Sequence, residues 1–269
     1  MATLNPPSRP EESEEGGKMS FFEHLAELRT RLIHACGAIV AGTFIGIYVA
    51  KYCLEFVARP MVSALRAANL QDKLIFTHPA GYLYQVITLG LYIGIVIASP
   101  YVLYQVWLFV APGLYRNERK AVAGFVISSV ALFLSGIVFA YYVILPYLLR
   151  FLVNFQTGGP FTPLISVNEY FDLVLNVLLG VGIVFELPVL AFLLSLFGIV
   201  TPQFLWKNFR YAILVIAILA AVLTPTPDAI TMLVFMAPMI VLYFVSIGVS
   251  AVVVRRKRRN EAIARQGAA

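Results

Sequence analysis

Charge is scarce in this chain: Asp, Glu, Lys and Arg together make 13% of its 269 residues, whereas 60% are hydrophobic. The scarcity is also uneven. Between Asp172 and Lys207 the only ionisable side chain is Glu186. Uncharged runs of this length exceed what a soluble core requires, so the chain is read as an integral membrane protein. Cysteine is scarce as well. Cys36 and Cys53 fall at opposite ends of one predicted helix, about 25 Å apart at 1.5 Å per residue, which excludes a disulfide between them. Signatures of catalysis are missing too: no HExxH helix, no pair of membrane aspartates, no Ser/His constellation and no GxxxxGK[ST] loop. Neither an enzyme, a metal site nor a cofactor is expected. Residues 1–19 hold Pro6, Pro7, Pro10 and EESEEGG without the apolar core of a signal peptide, and their glutamates argue against a transit peptide. They are read as a disordered tail.

The chain does contain six apolar segments, near Leu32–Leu54, Tyr82–Val110, Ala121–Leu149, Leu173–Val200, Tyr211–Leu223 and Ala229–Val254. They define an all-α bundle over residues 20–254, followed by a basic tail over 255–269. Six spans put both termini on one side. Arg9, Lys18, Arg29, Arg31, Arg116, Arg119, Lys120, Lys207, Arg210, the run Arg255–Arg259 and Arg265 fall there, while only Lys51, Arg59, Arg66, Lys73 and Arg150 fall opposite. Cations gather at the cytoplasmic ends of spans, so both termini are expected in the cytoplasm. The net charge of +6 then needs no nucleic acid to explain it.

The fifth segment has too few uncharged residues to cross comfortably, about 20 Å against a hydrocarbon core of about 30 Å. Two readings are open: a locally thinned bilayer, or a buried helix that never meets lipid. TPTPD, Thr224 to Asp228, with Pro225 and Pro227, makes the turn into the sixth segment, which carries Pro238. Pro188 follows Glu186 by two residues and lacks the N–H that would bond the Val184 carbonyl, so carbonyl and carboxylate form one polar spot in the span. Such a carboxylate must be protonated, hydrated or partnered. It is either an interhelical hydrogen bond or a functional site.

SFFEHLAELRTRL, Ser20 to Leu32, opens with Ser20 and Glu23 in capping-box spacing and carries Phe21, Leu25, Leu28 and Leu32 on one stripe. It reads as an interfacial helix feeding the first span. Glu27 stands four residues before Arg31, the spacing of an ordinary helical ion pair, and His24 reads as an interfacial polar residue. In FVAPGLYRNERK, Phe109 to Lys120, Pro112 and Gly113 break the helix at the water boundary, and Glu118 sits among Arg116, Arg119 and Lys120. Without further information this is a solvated loop.

Taken together, HLAELRTRL, YQVWLFVAPGLYRNERK (Tyr104 to Lys120), FELPV (Phe185 to Val189) and LTPTPD (Leu223 to Asp228) resemble the TatC family, the multispanning core subunit of the twin-arginine protein translocase. The resemblance covers about Ser20 to Val254. It implies a concave, glove-like six-helix bundle with short fifth and sixth helices in the bacterial cytoplasmic membrane. It also implies binding of the twin-arginine signal peptides of folded cargo, association with single-span TatA and TatB, and export driven by the protonmotive force. By the same resemblance Glu27 and Glu118 are the acids of signal-peptide recognition, with Phe109, Pro112, Arg29, Arg119 and Lys120 around them. Glu186 is the membrane glutamate that meets partner helices, beside Pro188. Pro60 is an outside-loop proline and Asp228 fixes the last hairpin. Where many relatives carry a glutamine near the membrane glutamate, this chain has Met232, whose thioether donates nothing. The rival reading is a proton-coupled secondary transporter, prompted by the lone membrane carboxylate; no matching second carboxylate or inverted repeat supports it.

Overall fold

The computed structural model describes residues 21–71, 73–110, 122–156, 164–224 and 228–266. Among them five stretches are long and apolar enough to cross a membrane: His24–Ala67, Gly81–Phe109, Gly124–Gln156, Val167–Leu196 and Ala229–Arg256. A shorter apolar helix, Phe209–Leu223, completes the six. Ser20, the tail over 1–19 and the turn prolines Pro225 and Pro227 lie outside the described residues.

Helix α1, Phe21–Ala67, is one rod of 47 residues that absorbs the approach segment, the first span and much of the expected outer loop. Pro60 therefore lies inside a helix rather than in a loop. The reason is visible in its neighbours. Proline deprives the carbonyl four residues back, Phe56, of its usual donor, and the Tyr141 hydroxyl donates to that carbonyl at 2.7 Å. The buried Tyr170 hydroxyl donates to the next carbonyl, Val57, also at 2.7 Å. Val57, Met61, Ala64 and Leu65 are buried in the core on either side of the proline, so the helix continues through it.

Helix α2, Gly81–Val110, holds Pro100 by a similar device: the Ser99 hydroxyl donates to the Val96 carbonyl at 2.8 Å. The third span is α3, Val122–Phe139, a π turn, Ala140–Ile144, and α4, Leu145–Gln156. In the π turn the Leu145 N–H reaches back to the Ala140 carbonyl, and this wider turn directly precedes Pro146, where a regular ladder would lose a bond.

Helices α1 and α2 meet backbone to backbone. A Cβ on Gly46 would stand 2.0 Å from the Gly90 carbonyl oxygen, and one on Gly42 would stand 2.6 Å from that of Gly94. Glycines four apart on both helices thus form a seam that no larger residue could occupy, the packing by which membrane helices approach without a hydrophobic driving force between them.

The fourth span is broken into α5, Val167–Val184, and α6, Leu187–Leu196, with Phe185 and Glu186 between. A short α7, Pro202–Lys207, begins at Thr201, whose hydroxyl accepts the Phe204 N–H at 3.1 Å. Then come α8, Phe209–Leu223, and α9, Ala229–Gln266. At 15 residues, α8 spans about 22 Å. Only Ile216 and Ala220 of it are buried, which overturns the buried-helix reading. The 38 residues of α9 carry the helix through the basic run to Gln266, beyond the candidate span that ends at Arg256. Beyond the membrane-spanning parts, Ile75 and Ser166 form a single bridge, tying the segment after α1 to the start of α5.

Candidate functional site

Two carboxylates are placed very differently by this scaffold. The seam sets the start of α1 against the end of α2. There the Arg31 guanidinium donates to Glu27 Oε1 at 3.1 Å and to Gln105 Oε1 at 3.3 Å, while the His24 ring stacks on Phe109 with centroids 4.3 Å apart. The Glu27 side chain is 16% exposed. Its second oxygen, Oε2, is buried without a hydrogen-bond partner among the described residues, as is Arg31 Nε. A carboxylate can accept at both oxygens, so this one retains unused accepting capacity. The spacing-based ion pair is therefore present, joined by Gln105 and Phe109 from α2. Arg29 is exposed on the same helix. Pro112, Glu118, Arg119 and Lys120 lie outside the described residues.

Glu186 sits where the fourth span breaks. Its N–H bonds the Ile183 carbonyl at 3.0 Å, closing α5 with a tight turn, and its carbonyl accepts from Leu190 at 2.9 Å, opening α6. Pro188 lies in the first turn of α6, where a missing N–H costs nothing because that donor has no intrahelical partner. The polar spot is built from neutral side chains. Buried Trp107 of α2 donates its indole N–H to the Ser129 hydroxyl of α3 at 3.2 Å, which leaves the Ser129 proton available for donation. Trp107, Ser129 and Glu186 line one cavity of about 280 Å³ between α2, α3 and α6, together with Leu103 and Leu190 among others. Glu186 Oε1 is buried beside it without a hydrogen-bond partner among the described residues.

Met232 does not join this cluster. The α6 helix is joined to α9 by a hydrogen bond of 2.8 Å between the Ser195 and Ser250 hydroxyls, and Met232 is not among the residues lining the cavity beside Glu186. Met232 instead packs half-buried against the core. Asp228 caps α9: its Oδ1 accepts the Thr231 N–H at 2.7 Å, and its Oδ2 accepts the Thr231 hydroxyl. Sequence reasoning missed Gln105, Trp107 and Ser129. The available signal was three polar residues within spans that otherwise face apolar surroundings. Cys36 and Cys53 are free thiols, and among the described residues no three His, Cys, Asp or Glu side chains gather to hold a metal ion.

Five helices long and apolar enough to cross a membrane and a shorter sixth, with one carboxylate at a helix end and another inside a broken span, define a helical multi-pass membrane protein. The family model described as Sec-independent protein translocase protein (TatC) matches residues 23–238. A Sec-independent protein translocase protein TatC of Koribacter versatilis is 46% identical over 269 residues, covering 98% of each chain. TatCy of Bacillus subtilis is 35% identical over 250 residues, covering 91% of this chain and 94% of its own. The crystal structure of a twin-arginine translocase receptor, TatC, is 34% identical with a TM-score of 0.71, covering 84% of this chain and 97% of its own. A second, in DDM, has a TM-score of 0.74. This chain belongs to the TatC family of Sec-independent protein translocase proteins. The matches do not favour the secondary-transporter reading.

Proposed function

We infer that this chain is the receptor and core subunit of a twin-arginine translocase. It binds the twin-arginine signal peptides of folded cargo and, with single-span TatA and TatB subunits, supports their protonmotive-force-driven transport across the bacterial cytoplasmic membrane. Both termini face the cytoplasm, a reading supported by the excess of cations on that side. The observation that carries the function is Glu27, whose Oε1 is held by Arg31 while Oε2 is buried and unpartnered. Guanidinium presents a planar fork that a carboxylate accepts at two oxygens, which an ammonium cannot match, so arginine is selected over lysine at similar charge. An incoming arginine takes the free oxygen or displaces Arg31. Glu118 supplies the second acid for the second arginine, Phe109 and Pro112 shape the pocket, and Arg29, Arg119 and Lys120 disfavour an arbitrary polybasic ligand. Glu186, with Pro188, meets the partner helices.

The test is export of a folded reporter bearing an RR or a KK signal in a strain lacking this subunit. Restoring the chain is expected to rescue RR export and not KK export, and Glu27→Ala is expected to remove the rescue. Equal export of both reporters, or full rescue by Glu27→Ala, overturns the reading.

A further inference from the structure

An apolar groove of about 220 Å³ lies between α1, α2, α3 and α5, away from both carboxylates. Cys53 and Phe56 line it on α1, Leu89 to Ile97 on α2, Ile137 on α3 and Leu178 on α5. Leu89 to Ile97 is about two helical turns, a slot some 12 Å long. Phe56 is 42% and Ile97 44% exposed, so the slot opens sideways, toward the apolar phase in which these spans reside.

One rim of the slot is cationic. The Arg59 guanidinium lies 5.9 Å from the centroid of the Phe56 ring, as expected for a helical side chain that leans back toward the preceding turn. Its one ion-pair partner, Glu55, is 3.9 Å away, with side chains 65% and 88% exposed, a separation and exposure at which pairing contributes little. Lys51, two turns earlier on the same stripe, lies 5.1 and 4.9 Å from the Tyr48 and Tyr52 ring centroids. Tyrosines with basic residues mark the level of lipid headgroups. The rim is thus a headgroup-level cation poised above an apolar slot.

We propose that the groove binds one anionic phospholipid, with an acyl chain in the slot and the phosphate on Arg59. The volume discriminates between occupants. Two turns of a helix 10–12 Å across enclose on the order of 1,000 Å³, far more than the groove's 220 Å³, whereas a single acyl chain matches its length and its apolar walls. The pairing of walls and rim distinguishes the site from the general lipid-facing surface: the walls select a chain, and the cation selects the headgroup. The site lies at the end of the bundle remote from His24 and is independent of signal-peptide binding.

Cys53 supplies the probe, since it lines the slot and is a free thiol. In the full chain carrying Cys36→Ser, in dodecylmaltoside micelles, alkylation of Cys53 by a small maleimide is followed with added phosphatidylglycerol or phosphatidylcholine. Phosphatidylglycerol is expected to slow labelling about fivefold more than phosphatidylcholine, the difference that one basic side chain near an anionic surface provides. Arg59→Gln, an exposed change, is expected to abolish that preference, while Ile137→Trp fills the slot and slows labelling without lipid. Equal protection by the two lipids overturns the proposal, as does a phosphatidylglycerol preference that survives Arg59→Gln. Protection that instead rises with protein concentration in lipid-free micelles assigns the groove to a second copy of the chain and likewise overturns it.

Discussion

Glu27 and Glu186 each keep one carboxylate oxygen buried and, among the described residues, without a hydrogen-bond partner. They differ in company. Glu27 is held by a cation, Arg31, on its own helix and backed by Gln105. Glu186 has neutral neighbours from two other helices, the hydrogen-bonded Trp107 and Ser129, with which it lines one cavity. A charged partner next to water can be exchanged for another cation. Neutral donors inside a span fix direction without adding a second charge to a low-dielectric region. The two sites are therefore suited to different ligands, an arginine in one case and a hydrogen-bonding group on an apolar helix in the other.

The sharpest way to break the comparison is to remove the support of one site alone. Gly46→Leu would force a side chain into the Gly90 backbone, and overpacking of this kind costs about 1–3 kcal/mol or more. The variant is expected to lose thermal stability in detergent and to lose a disulfide crosslink engineered between positions 24 and 109. Wild-type stability with that crosslink intact would mean that the seam does not set the Glu27 site. Next in size, Glu27→Ala is expected to weaken binding of a twin-arginine peptide at least about tenfold, the scale of a lost charged hydrogen bond, and Glu186→Ala to leave it unchanged. Equal losses in a fluorescence-anisotropy titration would erase the distinction. Glu186→Ala is then expected to lower export about fivefold while Glu186→Gln stays near wild type, since the amide keeps both oxygen-acceptor and donor capacity. The smallest effect belongs to the relay. Trp107→Phe and Ser129→Ala should each lower export about twofold, and the double variant no further, because interactions in one network are not additive. Additive losses would show that Trp107 acts through packing alone.

What the sequence disclosed depended on contrast. Glu186 stood out because nothing else nearby is ionisable, and Glu27 because its spacing to Arg31 is a local helical property. Gln105, Trp107 and Ser129 are unremarkable in a helix. They acquire a role only when the glycine seam fixes how α2 faces α1 and α3, and that is a tertiary fact. Pro60 was set in an outside loop by the resemblance, whereas the hydroxyls that let α1 continue through it come from Tyr141 and Tyr170, 85 and 113 residues away from the carbonyls they bond. Met232 was set near Glu186 by the resemblance; it packs half-buried against the core and is not among the residues lining the Glu186 cavity. Span number and the shortness of the fifth helix follow from hydropathy and length alone, which is why they were legible.

The break at Phe185 and Glu186 also has a mechanical side. Above it α5 is locked to α3, with Gly136 pressed on Phe185 and Gly182 on Phe133. Below it α6 is fastened to α9 through Ser195 and Ser250. The membrane carboxylate thus stands at the fulcrum between two separately clamped arms. With 10 residues in α6, the lower arm is about 15 Å long, so a tilt of about 10° would swing its far end by roughly 2.6 Å, enough to slide one layer of side chains past another.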